Sequence, residues 1–106
     1  MPILPLTEAN FEQEVLQAEG PVLVDLFAAW CGPCRALAPV LETLAETRPE
    51  LRIGKVDVDA QPELAARFDV LTVPTLLLFR SGRLLRRTTA AKTPAELEEF
   101  LRSGEA

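Results

Sequence analysis

The run Val22-Leu23-Val24-Asp25-Leu26-Phe27 is apolar on both of its faces, apart from one carboxylate in its interior. Successive residues of a strand point to opposite sides, so such a run must be covered from both directions. That requirement points to an α/β domain in which this segment is an interior parallel strand between layers of helix. Gly20-Pro21 marks its beginning. Its end leads at once into Trp30-Cys31-Gly32-Pro33-Cys34, which holds the only two cysteines of the chain.

The remaining segments alternate in type. Ile3 to Leu6 reads as a short strand. Asn10, with Gln13 three residues on, resembles a capping box and opens a helix to about Ala18. A second helix spans about Pro33 to Thr47, with Leu37, Val40, Leu41 and Leu44 at helical spacing; Pro39 inside it should kink it. Arg52 to Val58 is β-branched and strand-like, and a short helix runs from Pro62 to about Phe68. Thr75 to Arg80 and Arg83 to Thr89 flank Ser81-Gly82, the signature of an antiparallel hairpin. Thr93-Pro94-Ala95-Glu96 combines a capping threonine, proline at the first helical position and glutamate three on; that helix should end near Gly104. The expected order is βαβαβαββα: one α/β domain over 1–106 whose central mixed sheet is flanked by helices.

Cysteines at i and i+3 on a first helical turn share one face and come close enough for a disulfide. The loop so closed is tiny, and chain entropy assigns it only about 2 kcal/mol. A bond that contributes little to the fold is free to open and close. Unpaired N–H groups and the macrodipole at a helix start favour a thiolate at Cys31, while Cys34 lies one turn further in. Cys31 is therefore expected to attack and Cys34 to resolve. Pro33 suits the first turn, and Gly32 leaves room for an approaching chain. A closed zinc site needs four ligands, and the chain has no histidine and no third cysteine. Haem attachment needs histidine after the second cysteine, where Arg35 stands. A purely structural disulfide is the remaining alternative.

With 106 residues the chain is large enough to bury a core without staples. Its net charge of −5 argues against nucleic acid as a partner. No apolar run approaches a membrane span, and no charged segment with an apolar stretch opens the chain. A cytoplasmic setting is expected, with no membrane association. Asp25 is the one carboxylate of the apolar strand; burial should raise its pKa. It is either a structural carboxylate paired with a nearby donor or the proton acceptor that lets Cys34 become a thiolate. Lys55 alternates with Ile53 and Asp57 on one strand face, where a solvated strand end is the simplest role. Pro74 opens an apolar strand, an ordinary edge device. Arg80, Arg83, Arg86 and Arg87 read as a charged edge strand that resists pairing, or as a docking patch for an acidic partner.

Four segments together resemble the thioredoxin family over essentially the whole chain. They are Val24-Asp25-Leu26-Phe27-Ala28-Ala29-Trp30-Cys31-Gly32-Pro33-Cys34, Lys55-Val56-Asp57-Val58-Asp59, Val73-Pro74-Thr75 and Phe79-Arg80-Ser81-Gly82. The resemblance implies a thioredoxin fold and a protein-disulfide oxidoreductase, a general disulfide reductase working through a Cys31–Cys34 pair. Gly32-Pro33 between the cysteines matches the reducing members. The resemblance also makes Asp25 the proton acceptor and places Lys55 beside it as a modulator. It implies a cis Val73–Pro74 bond against the cysteines, with Val73 offering backbone groups to a partner peptide, and Trp30 as a surface ring that contacts partners. Ala90 stands where a glycine commonly faces the cysteines, and Phe27 where many members have tryptophan. No cofactor is expected on the chain itself; NADPH and FAD enter through a partner thioredoxin reductase, and the other partners are disulfide-containing client proteins. A monomer is expected. The alternatives are a thioredoxin-fold binding or chaperone-like module and a reductant dedicated to one pathway.

Overall fold

The computed structural model describes residues 2–103. Five strands, β1 (Leu4–Pro5), β2 (Pro21–Phe27), β3 (Arg52–Asp57), β4 (Thr75–Arg80) and β5 (Arg83–Thr88), form one sheet in the order β1-β3-β2-β4-β5. β3 runs parallel to both β1 and β2, whereas β4 is antiparallel to β2 and β5. The helices are α1 (Gly32–Thr47), α2 (Pro62–Arg67) and α3 (Pro94–Ser103). The element order and the mixed sheet agree with the sequence expectation; the expected helix end at Gly104 lies outside the described residues.

β2 is the central strand, and its two faces feed two cores. Leu23 joins Leu37, Leu41 and Leu44 of α1 and Leu97, Phe100 and Leu101 of α3. Val22, Val24 and Leu26 join Phe11, Val15, Leu64, Leu77 and Phe79 on the other side. There the rings of Phe11, Phe68 and Phe79 meet at centroid distances of 5.3 to 5.9 Å, two of the three pairs edge to face. Such pairs add about 0.5–1.5 kcal/mol each beyond the area they bury.

The local signals at the chain's turns mostly hold. Ser81 and Gly82 adopt φ of 52° and 79°, the left-handed pair that a two-residue hairpin loop needs. A side chain at Gly82 would also strike the Leu16 carbonyl oxygen, so glycine is required there twice over. Thr93 Oγ1 accepts from the Glu96 N–H at 3.2 Å, and Glu96 Oε1 accepts from the Thr93 N–H at 3.1 Å, which completes the capping box of α3. The first helix departs from expectation. Asn10 does not cap through Gln13: its Oδ1 accepts from the Thr7 N–H, its Nδ2 donates to the Pro5 carbonyl, and Thr7 Oγ1 accepts from the Asn10 N–H. Thr7 and Asn10 form the reciprocal pair instead, and the segment Glu12–Leu16 is π-helical, with the Gln17 N–H donating to the Glu12 carbonyl.

Two arginines of the last hairpin, Arg86 and Arg87, have internal partners. Arg87 donates to the carbonyls of Phe68 (2.7 Å) and Asp69 (3.3 Å), where Asp69 holds a φ of 54°. Arg86 lies over the Phe100 ring at 5.5 Å. Both contacts fasten the edge strand to its neighbours.

Candidate active site

The end of β2 delivers the chain into a tight turn in which the Cys31 N–H donates to the Ala28 carbonyl at 3.1 Å. Cys31 is extended (φ −87°, ψ 114°) and stands as the N-cap of α1; Pro33 occupies its first turn and no acidic residue does. Cys31 Sγ accepts from the Cys34 N–H at 3.2 Å, so the sulfur already faces a helix-start donor and the positive end of the dipole. Cys31 and Cys34 are joined as a disulfide, with Cα atoms 5.3 Å apart. Both residues are buried, at 5% and 2% exposure, so exposure distinguishes them less than position does. Cys31 precedes the helix, and Cys34 lies within its first turn.

The rim around the pair is open. Ala29, Trp30, Gly32 and Pro33 are exposed, and a side chain at Gly32 would meet nothing closer than the Arg35 guanidinium at 4.0 Å. Trp30 is 70% exposed, yet its Nε1–H donates to Asp59 Oδ2 at 2.9 Å, which fixes the ring beside the cysteines. Asp59 is placed in turn by Asp57, whose Oδ1 accepts from the Asp59 N–H at 2.9 Å. The Val73–Pro74 bond is cis, and the Val73 carbonyl oxygen lies 3.7 Å from Cys31 Sγ. Thr75 Oγ1 donates to the Thr72 carbonyl at 2.6 Å and pins that loop. Ala28 and Val73 pack on the disulfide with Phe27 and Val58. Two residues before Val73, Leu71 is 93% exposed.

Asp25 lies on the face of β2 that carries Leu23 and Phe27, toward α1 and its cysteines. Its residue is fully buried, and neither carboxylate oxygen has a hydrogen-bond partner. Burial pushes its pKa up from 3.8 to about 6, with the Lys55 charge pulling the other way. Lys55 is its register neighbour across the β2–β3 pair, while apolar Leu76 faces it from β4. Lys55 does not form an ion pair with Asp25; its ammonium sits 4.5 Å above the centre of the Phe27 ring. The alternative of Asp25 as a paired structural carboxylate therefore finds no donor among the described residues.

Ala90 is exposed on the loop after β5, where its N–H donates to Thr88 Oγ1 and it lines an open cavity with Arg86, Ala95 and Phe100. Asp59 and Leu71 were not singled out from the sequence. The acidic pair Asp57 and Asp59 closing a strand is a usable signal for the first; an exposed leucine has none. Among the described residues, no group of three His, Cys, Asp or Glu side chains is placed to hold a metal ion, and no helix is long and apolar enough to cross a membrane.

Known proteins resemble this chain in sequence. The family model described as Thioredoxin matches residues 2–103. A thioredoxin of Mycobacterium bovis is 46% identical over 95 residues, which are 89% of this chain and 82% of that protein. A thioredoxin of Alicyclobacillus acidocaldarius is 44% identical over 99 residues, 92% of this chain and 93% of that protein. A bifunctional thioredoxin reductase/thioredoxin of Mycobacterium leprae is 46% identical over 95 residues, but the chain spans only 21% of its length. A helix-start Cys-Gly-Pro-Cys disulfide against a cis-proline loop, on a five-stranded mixed sheet, makes this chain a member of the thioredoxin family, an oxidoreductase that works by dithiol–disulfide exchange through Cys31 and Cys34.

Proposed function

We propose that the protein is a general protein-disulfide reductase in which Cys31 attacks, Cys34 resolves and Asp25 takes the proton. The observation that carries the assignment is the Cys34 N–H aimed at Cys31 Sγ at the start of α1. That donor and the helix dipole stabilise a thiolate at Cys31 more than at Cys34. The Cys31 thiolate attacks one sulfur of a client disulfide; a Cys31–client bond forms, the client disulfide breaks, and its other sulfur leaves as a thiolate. Cys34 then gives its proton to the Asp25 carboxylate and attacks Cys31 Sγ. The Cys31–Cys34 bond forms as the Cys31–client bond breaks, the second client sulfur departs as a thiolate, and two electrons have passed to the client.

The remaining residues serve this exchange. Lys55 modulates Asp25. Gly32 and Pro33 keep the approach to Cys31 open and set redox character. Trp30 and the loop of half-buried Val73 and buried Pro74 hold an extended client segment, with the Val73 backbone offered for a short strand addition. Ala90 shapes the partner surface. The chain acts as a single-domain monomer in the cytoplasm. A thioredoxin reductase, drawing on NADPH through its flavin, restores the dithiol; the M. leprae relative, whose name joins the two proteins, supports that pairing.

Alkylation of the reduced protein at mildly acidic pH tests the roles. Cys31 is expected to be labelled first, Cys31→Ser to abolish disulfide reduction, and Cys34→Ser to accumulate mixed disulfides. Equal labelling of both cysteines, or preference for Cys34, contradicts the assignment.

A further inference from the structure

Phe27 and Asp25 stand two residues apart on the same face of β2, and Lys55 is opposite Asp25 on β3. The Lys55 side chain can therefore lean toward either of them. It leans toward the ring: its ammonium is 4.5 Å from the Phe27 centroid, and no carboxylate of the described residues makes an ion pair with it. This occurs although the site is rich in carboxylates. Asp25 faces Lys55 from β2, Asp57 lies two residues along β3, and Glu42 of α1 lines with Lys55, Phe27 and Asp57 a cavity of about 380 Å³. β4 contributes only apolar Leu76 at the Asp25 register, and the chain has no histidine. A cation over an aromatic face is attracted by the ring's quadrupole, more strongly as the site dries.

The geometry points to Phe27 as a positioning residue, whose ring holds the Lys55 ammonium back from Asp25 and so limits how far that charge eases the buried carboxyl's ionisation. The inference rests on Asp25 being the proton acceptor only for its consequence in turnover. A carboxylate held short of an ion pair keeps its affinity for a proton, which suits a group that must accept one from a thiol. The Lys55 charge, kept nearby but not in contact, still pulls the carboxyl's pKa downward against burial.

The test is a double-mutant cycle read on the oxidised protein, where neither cysteine titrates. The Asp25 carboxyl is followed by carbon NMR across pH in the native chain, Phe27→Leu, Lys55→Met and the double variant. Phe27→Leu releases the ammonium toward Asp25 and is expected to lower its pKa by about half to one pH unit. Lys55→Met is expected to raise it, and in that background Phe27→Leu is expected to have no further effect. Phe27→Trp, which keeps a ring in place, is expected to hold the native value or exceed it. An unchanged pKa in Phe27→Leu overturns the inference. So does an equal fall in the Lys55→Met background, since water entry would then be the cause. Single-turnover kinetics separate this result from the assignment of Asp25: if the cycle shows coupling but resolution of the mixed disulfide does not follow the Asp25 pKa, Phe27 positions Lys55 and the proton acceptor lies elsewhere.

Discussion

The two faces of β2 are built from one backbone and serve opposite ends. One face carries Val22, Val24 and Leu26 into a core closed by three phenylalanine rings. The other carries Leu23, Asp25 and Phe27, and the carboxyl in its middle has no hydrogen-bond partner. An apolar layer of the same volume would suit the second face better if stability were the only requirement. The strain is confined to the stretch of that face nearest the cysteines. Leu23, two residues before Asp25, sits in an ordinary apolar cluster with α1 and α3. The contrast shows where this fold spends stability, and on which side of one strand it recovers it.

The largest expected effect removes the stabilising face. Phe79→Ala should cost about 3–5 kcal/mol in denaturant melts, because it empties the centre of the ring cluster. The order of cysteine alkylation should stay native, since the site lies across the sheet. A changed order would mean that the two faces are not separable.

The second effect has the opposite sign. The folded pKa of Asp25, about 6, lies above the ordinary 3.8, so the folded state binds the extra proton. Below pH 4 the carboxyl is protonated in both states and costs nothing through ionisation. As pH rises from there through about 6, the unfolded state ionises more readily and the fold loses stability. Asp25→Ala should therefore stabilise the protein near neutral pH by about 2 kcal/mol, the small void having been counted, and the gain should vanish toward pH 4. Melts of both proteins across that range check the sign and the window. A less stable variant at neutral pH would make Asp25 a structural residue.

The smallest effect lies at the rim. Trp30→Phe removes the hydrogen bond to Asp59 from an exposed ring and should change stability by less than about 0.5 kcal/mol. The same change should lower kcat/KM for a protein disulfide more than for a small aromatic disulfide, because only the former needs the rim. Equal losses on both substrates would place the ring in the chemistry instead.

Much of this was legible in the chain, and the illegible parts share a cause. The hairpin at Ser81-Gly82 and the cap at Thr93 depend on neighbours within four residues, so their residue types announce them. The cysteine pair and the lone carboxylate of β2 are likewise local patterns. The first helix differs from the sequence expectation because Asn10 has two competing partners at equal separation, and the structure satisfies Thr7. A π-helical bond from Gln17 to Glu12 leaves no pattern in side-chain type. Trp30 with Asp59, and Lys55 over Phe27, join residues distant in sequence; the ring contact depends on the register between strands. Side-chain alternation placed Lys55 on its face but could not say which of two neighbours on β2 it would choose.

In the proposed mechanism, Asp25 is kept at a cost in stability because Cys34 needs a proton acceptor. The most direct measurement is the rate at which a preformed Cys31–client mixed disulfide resolves, followed in single turnover across pH for the native chain and Asp25→Ala. The expected result is a slowing of about 100-fold near neutral pH, recovering at alkaline pH where the Cys34 thiol ionises unaided. A native rate with a native pH profile in the stabilised variant would contradict it.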